Sequence, residues 1–222
     1  MFVTAISAEN PPKSKQKSVR GRPRDTSKNK AIIHSASRLF LEKGFDGTSM
    51  DDIAKRAGVS KQTVYSHFAC KEVLCSEAIS LAVKRYSPDT ALENMEEHSL
   101  EADLRAVCDK FARLLLGDDS VAMANLLVTS APKGSEFAKI YWNAGPQAMH
   151  GKLKDFLQHW IDQGALSIDD TSKAADLLAT LLKGKVHFLR SIGLMDTISE
   201  EQIQENVEDT VTIFLKLYGA KI

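Results

Sequence analysis

Cysteine is scarce: Cys70, Cys75 and Cys108 are an odd number with no framework spacing. A disulfide scaffold is thereby excluded and a reducing compartment expected. Long apolar runs are missing too. The longest uncharged stretch, Ser120–Pro132, falls short of the roughly 18 apolar residues a membrane helix needs and contains Ser, Asn and Thr. The short run Phe2, Val3, Ala5, Ile6 precedes the basic stretch, the reverse of a secretory leader. There is no Gly-rich phosphate loop, nucleophile elbow or paired-carboxylate arrangement, so neither enzyme activity nor a cofactor is expected. No alternating Val/Ile/Thr run bounded by turn residues appears, so no strands are expected. These absences predict a cytoplasmic protein with no membrane partner.

The formal net charge of zero conceals an asymmetry. Residues 1–72 hold 14 Lys/Arg against 7 Asp/Glu, whereas the remainder holds 15 against 22. A basic first third on an acidic body suits a protein whose one end meets a polyanion.

From Thr26 onward the pattern is helical. Residues 1–25, rich in Pro, Ser, Lys and Arg, read as a disordered basic arm. Residues 26–72 read as a three-helix head and 73–222 as a helical body, an all-α protein. The first helix is expected from Thr26 or Ser27 to Lys43, stopping at Gly44. A short second helix is expected from an N-cap at Thr48 to Gly58. A third runs from a cap at Ser60 to His67, and a fourth from Lys71 to Tyr86, before Pro88. Later helices are expected near Leu100–Leu116, Ser120–Ser130, Glu136–Gly164 (kinked or divided at Gly145-Pro146), Thr171–Ile192 and Glu200–Tyr218.

The segment Thr48–Phe68 reads Thr-Ser-Met-Asp-Asp-Ile-Ala-Lys-Arg-Ala-Gly-Val-Ser-Lys-Gln-Thr-Val-Tyr-Ser-His-Phe. It has the mechanics of a helix-turn-helix: a short helix, a tight turn carrying Gly58, and a second short helix. Ile53, Val59, Val64 and Phe68 supply apolar contacts that fix the interhelix angle, and Ala54 is small where the helices meet. The outward positions of the second of these helices are Lys61, Gln62, Thr63, Ser66 and His67. Such side chains reach base edges in a major groove.

This run, with Lys71-Glu72-Val73-Leu74 after it and Phe40–Thr48 before it, closely resembles the DNA-binding domain of TetR-family transcriptional regulators over residues 27–80. The resemblance implies a homodimer binding double-stranded operator DNA, a fold with the helix-turn-helix first and a ligand-binding and dimerisation bundle behind it, and repression relieved by a small-molecule effector. It implies base contacts from Lys61, Gln62 and Thr63, and phosphate-backbone contacts from Thr48, Ser49, Tyr65, His67 and Lys71. Arg20-Gly21-Arg22-Pro23 has the core of an AT-hook, suited to a narrow minor groove; a basic tail acting through charge alone stays open beside it.

For the body, the resemblance implies an effector cavity walled by bulky residues, with Phe111, Met123, Leu127, Tyr141, Trp142, Trp160 and His187 the candidates. A place in the core is the alternative for each. Subunit pairing is implied for the last two helices, where Leu178, Leu181, Leu182, Phe188, Val207, Val211, Phe214 and Leu215 serve core and interface faces. Two other readings remain: a DNA-bound scaffold of the same fold that recruits a protein and senses nothing, and a thiol-redox sensor at Cys70. Cys70 and Cys75 stand five apart with no fourth ligand at zinc spacing, so no metal is expected.

Overall fold

The computed structural model describes residues 26–85, 99–130 and 135–220; the arm, with Arg20 and Arg22, lies outside them. Among the described residues there is no strand, and the one β-type pairing is an isolated bridge between Leu166 and Gly219.

Helix α1 (Thr26–Lys43) buries Ile32, Ile33, Ala36, Leu39 and Phe40. Helices α2 (Met50–Ala57) and α3 (Lys61–His67) complete the head with the first half of α4 (Lys71–Arg85). Ile32, Ile53, Val64 and Leu74 are fully inaccessible at its centre, each side chain worth about 1.5–3 kcal/mol of transfer free energy. The body comprises α5 (Leu100–Leu115), α6 (Asp118–Ser130), α7 (Glu136–Trp142), α8 (Ala148–Asp162), α9 (Thr171–Ser191) and α10 (Glu200–Tyr218). Its core gathers Phe111 and Leu104 of α5, Phe156 of α8, Leu178 of α9 and Phe214 of α10.

The two cores meet along α4. Leu74, Cys75 and Ala78 belong to the head, Val83 to the body, and Phe137 of α7 reaches back into the head's core. The expected boundary at 72/73 therefore falls inside the first turn of a helix that serves both.

Between α7 and α8 the chain makes a π-helical turn, Asn143–Gln147. Pro146 has no N–H to give the regular ladder, so the helix is divided where the Gly145-Pro146 pair predicted. A Cβ on Gly145 would sit 3.4 Å from Ile79 Cγ2, so this turn packs tightly on α4. Helix α9 holds a break that the periodicity did not predict. Gly184 takes φ 49°, ψ −159°, a conformation open essentially to glycine alone, and Asn206 of α10 lies opposite, 3.2 Å from where a Cβ would be.

Charge pairs brace α5 to α10. Arg105 bonds Glu208 at 2.6 Å, and Arg113 bonds both Asp109 and Glu200. Arg190, buried at the end of α9, donates to the Leu116 carbonyl, the Asp118 carboxylate and the Asp196 carbonyl, which ties α9 to the α5–α6 turn.

Candidate DNA interface and the cavity behind it

Local chemistry sets the helix-turn-helix. Ser49 is the N-cap of α2: its hydroxyl accepts from the Asp52 N–H at 3.1 Å, and the Asp52 carboxylate accepts from the Ser49 N–H, a capping box. The expectation that Thr48 caps this helix and offers its hydroxyl to a phosphate is corrected. Thr48 is 2 % exposed, and its hydroxyl donates to the Gly44 carbonyl at 2.8 Å with the Leu39 carbonyl also in reach. It ties the α1–α2 turn together from within.

Gly58 ends α2 at φ 66°, and the Val59 N–H donates to the Ala54 carbonyl, closing the helix end. Ser60 then caps α3 by accepting from the Thr63 N–H at 3.1 Å. Helix α3 buries Val64, and Phe68 follows it into the core.

The opposite face of α3 is open. Lys61, Gln62, Tyr65 and Ser66 are exposed and share one side at i, i+1, i+4 and i+5 spacing. Tyr65 is 47 % exposed, so it is not a core aromatic. Lys61 makes an ion pair with Asp51 of α2 at 2.8 Å, and this carboxylate raises the lysine pKa. Thr63 is half-buried, its hydroxyl 2.8 Å from that of Ser60. His67 is half-buried, with Nδ1 enclosed and lacking a partner among the described residues. The Lys71 ammonium donates to the Phe45 carbonyl at 2.7 Å and lies 4.2 Å from the Phe45 ring centre.

Cys70 is half-buried, and Cys75 is buried in the head's core, where burial pushes its thiol up to about 12. Such a thiol carries almost no thiolate at neutral pH. Among the described residues no three His, Cys, Asp or Glu side chains are grouped to hold a metal.

Behind the head lies a mostly apolar cavity of about 410 Å³. Five of the predicted residues line it: Met123 and Leu127 of α6, Tyr141 and Trp142 of α7, and His187 of α9. Phe111 and Trp160 do not. Phe111 is wholly buried and Trp160 8 % exposed, both packed in the body's core. The sequence reading also named no lining residue from α1 or α4. Ser37, Phe40 and Leu41 of α1 line the cavity, as do Ala78, Ile79 and Val83 of α4. A small-residue stretch on α4 was the available signal, but which way it faced depended on tertiary packing.

Asp119, on the cavity wall, pairs with Arg38 of α1 at 3.7 Å. Burial lowers the pKa of His187, with the charges of Lys183 and Arg190 adding to the effect, so the ring is held neutral. Burial raises the Tyr141 phenol, which keeps it protonated.

An exposed polar recognition helix on a rigid helical head, joined through one shared helix to a hollow body, defines a helix-turn-helix regulator of transcription. The comparisons agree. Residues 32–78 match the family described as bacterial regulatory proteins, tetR family, and residues 102–220 match the AefR-like transcriptional repressor C-terminal domain. The chain belongs to the TetR family of transcriptional regulators.

It is 33 % identical over 151 residues to the HTH-type transcriptional regulator YdeS of Bacillus subtilis, covering 67 % of this chain and 72 % of that one. Among solved structures, a TetR-family regulator from Mesorhizobium loti superposes with a TM-score of 0.70 at 25 % identity, over 88 % of this chain and 98 % of the other. The flavonoid-responsive regulator FrrA gives a TM-score of 0.66 at 28 % identity, over 89 % and 100 %. No helix among the described residues is long and apolar enough to cross a membrane.

Proposed function

We propose that the chain acts as a homodimeric repressor that leaves its operator when a small, largely apolar molecule fills the cavity. The observation that carries this reading is the cavity's position: α1 of the head and the shared helix α4 wall it on one side, and α6, α7 and α9 of the body on the other. An occupant therefore bears directly on the angle between head and body. A two-fold dimer must set its two α3 helices about 34 Å apart to enter successive major grooves, and a change in that angle changes the spacing.

In this reading Lys61, Gln62 and Thr63 contact base edges, while Ser49, Tyr65, His67 and Lys71 hold the phosphate backbone. Arg20 and Arg22 of the arm add minor-groove or charge contacts. Pairing through α9 and α10 accounts for apolar side chains left in solvent: Phe188 is 62 % exposed, and Ile213 and Leu217, one turn apart on α10, are 42 % and 59 % exposed. A relative that is named as flavonoid-responsive supports a small-molecule effector of modest size.

The test is to select bound fragments from genomic DNA, then screen compounds for release of the selected duplex. Release by an apolar compound, abolished in Ala124→Trp, supports the reading. Operator binding indifferent to the panel, with a cellular protein retained on the DNA-bound dimer, favours a scaffold and counts against it.

A further inference from the structure

The walls of the cavity carry one carboxylate side chain and one ammonium side chain, Asp119 and Lys183. They are not equivalent. Asp119 already has Arg38 as a counter-ion. Lys183 has no ion pair among the described residues, and it lines the cavity together with His187, four residues on across the Gly184 break in α9. Arg190, further along that helix, is spent on Asp118 and two carbonyls. Lys183 therefore brings an uncompensated positive charge to the rim of an apolar chamber, beside a neutral imidazole that can donate a hydrogen bond.

The rest of the lining selects a shape. Phe40, Tyr141 and Trp142 present rings, and Met123 and Met149 present polarisable sulfur. Flat aromatic groups gain from both kinds of contact. Cys75 and Tyr141, held in their neutral forms, add no negative charge to repel an anion.

We propose that the cavity takes an aromatic carboxylate, its ring system between α4 and α7 and its anion against Lys183 and His187. The proposal rests on the effector-cavity reading above and adds the chemical class of the effector. The Gly184 break follows directly after Lys183, so this anion would sit where α9 changes direction.

The experiment titrates the full chain calorimetrically with 2-naphthoate and with 2-naphthamide, its uncharged counterpart of nearly the same shape. Wild type is expected to bind the carboxylate about tenfold more tightly, as for a hydrogen bond to a charged group. Lys183→Met, a change at an exposed position that leaves the core untouched, is expected to erase that preference while amide affinity stays within about twofold. Equal affinities in wild type, or a preference that survives Lys183→Met, overturn the carboxylate assignment and leave the cavity reading standing. Binding of neither probe, or binding undiminished in both Ala124→Trp and Leu127→Trp once thermal melts show them folded, overturns the cavity reading and this assignment with it.

Discussion

The rings of Phe45 and Phe137 stack with centroids 5.2 Å apart and planes 7° from parallel. Phe45 belongs to the α1–α2 turn of the head, and Phe137 to the first turn of α7, whose next turn carries Tyr141 to the cavity. Phe45 also stacks on Phe40, a cavity-wall residue of α1, and holds Lys71 at the start of α4. One aromatic cluster thus touches the cavity wall, the turn before the helix-turn-helix and the root of α4.

Truncating this contact separates stability from coupling. Phe137→Ala removes a ring that is 6 % exposed and is expected to cost about 3–5 kcal/mol in urea unfolding. Phe137→Leu keeps most of the volume; it is expected to retain operator affinity but to need a higher compound concentration for release. Unaltered release by Phe137→Leu would show that the stack transmits nothing.

Gly58→Ala isolates a backbone effect. A Cβ there meets nothing within 4 Å, but the residue must keep φ +66°. The expected loss is about 1–2 kcal/mol from the left-handed conformation alone, read from the shift in urea midpoint. No loss would mean that the turn relaxes to another geometry, and operator affinity should then fall.

Arg113, with Gln204 assisting, holds the Glu200 carboxyl down to about 2 from its ordinary 4.5. A depressed folded-state pKa stabilises above the unfolded value, and that contribution fades as pH falls from about 4.5 through about 2. The pair is solvent-exposed, so its effect is small. Glu200→Gln should melt below wild type at neutral pH, and the two melting temperatures should converge near pH 2. A gap independent of pH would assign the loss to packing.

The head was legible because its signals are local. Gly58, the Ser60 cap and the inward Val64 and Phe68 each act over a few residues, and each sits where the sequence placed it. The one error there has a physical reason: Thr48 and Ser49 are both capping residues with an Asp three positions on. What separates them is the pair of carbonyls, Leu39 and Gly44, that claims the Thr48 hydroxyl, a contact fixed only when α1 packs. The cavity was half legible for the same reason. Apolar periodicity says that Phe111 and Leu127 are both inward, but not which neighbour each inward face meets. Gly184 gave no warning, since a lone glycine between lysines looks like any tolerated helix interior.

The central claim is that α3 reads a duplex groove as part of a symmetric pair. It is tested most directly by titrating a fragment selected from genomic DNA, and single-base variants of it, with wild type and Gln62→Ala at low ionic strength. The account predicts binding by two subunits per site, and a loss of about 1–3 kcal/mol in Gln62→Ala confined to one base-pair position in each half-site. Retardation of no duplex, a bound monomer, or a Gln62→Ala loss spread evenly over all sequences would contradict it.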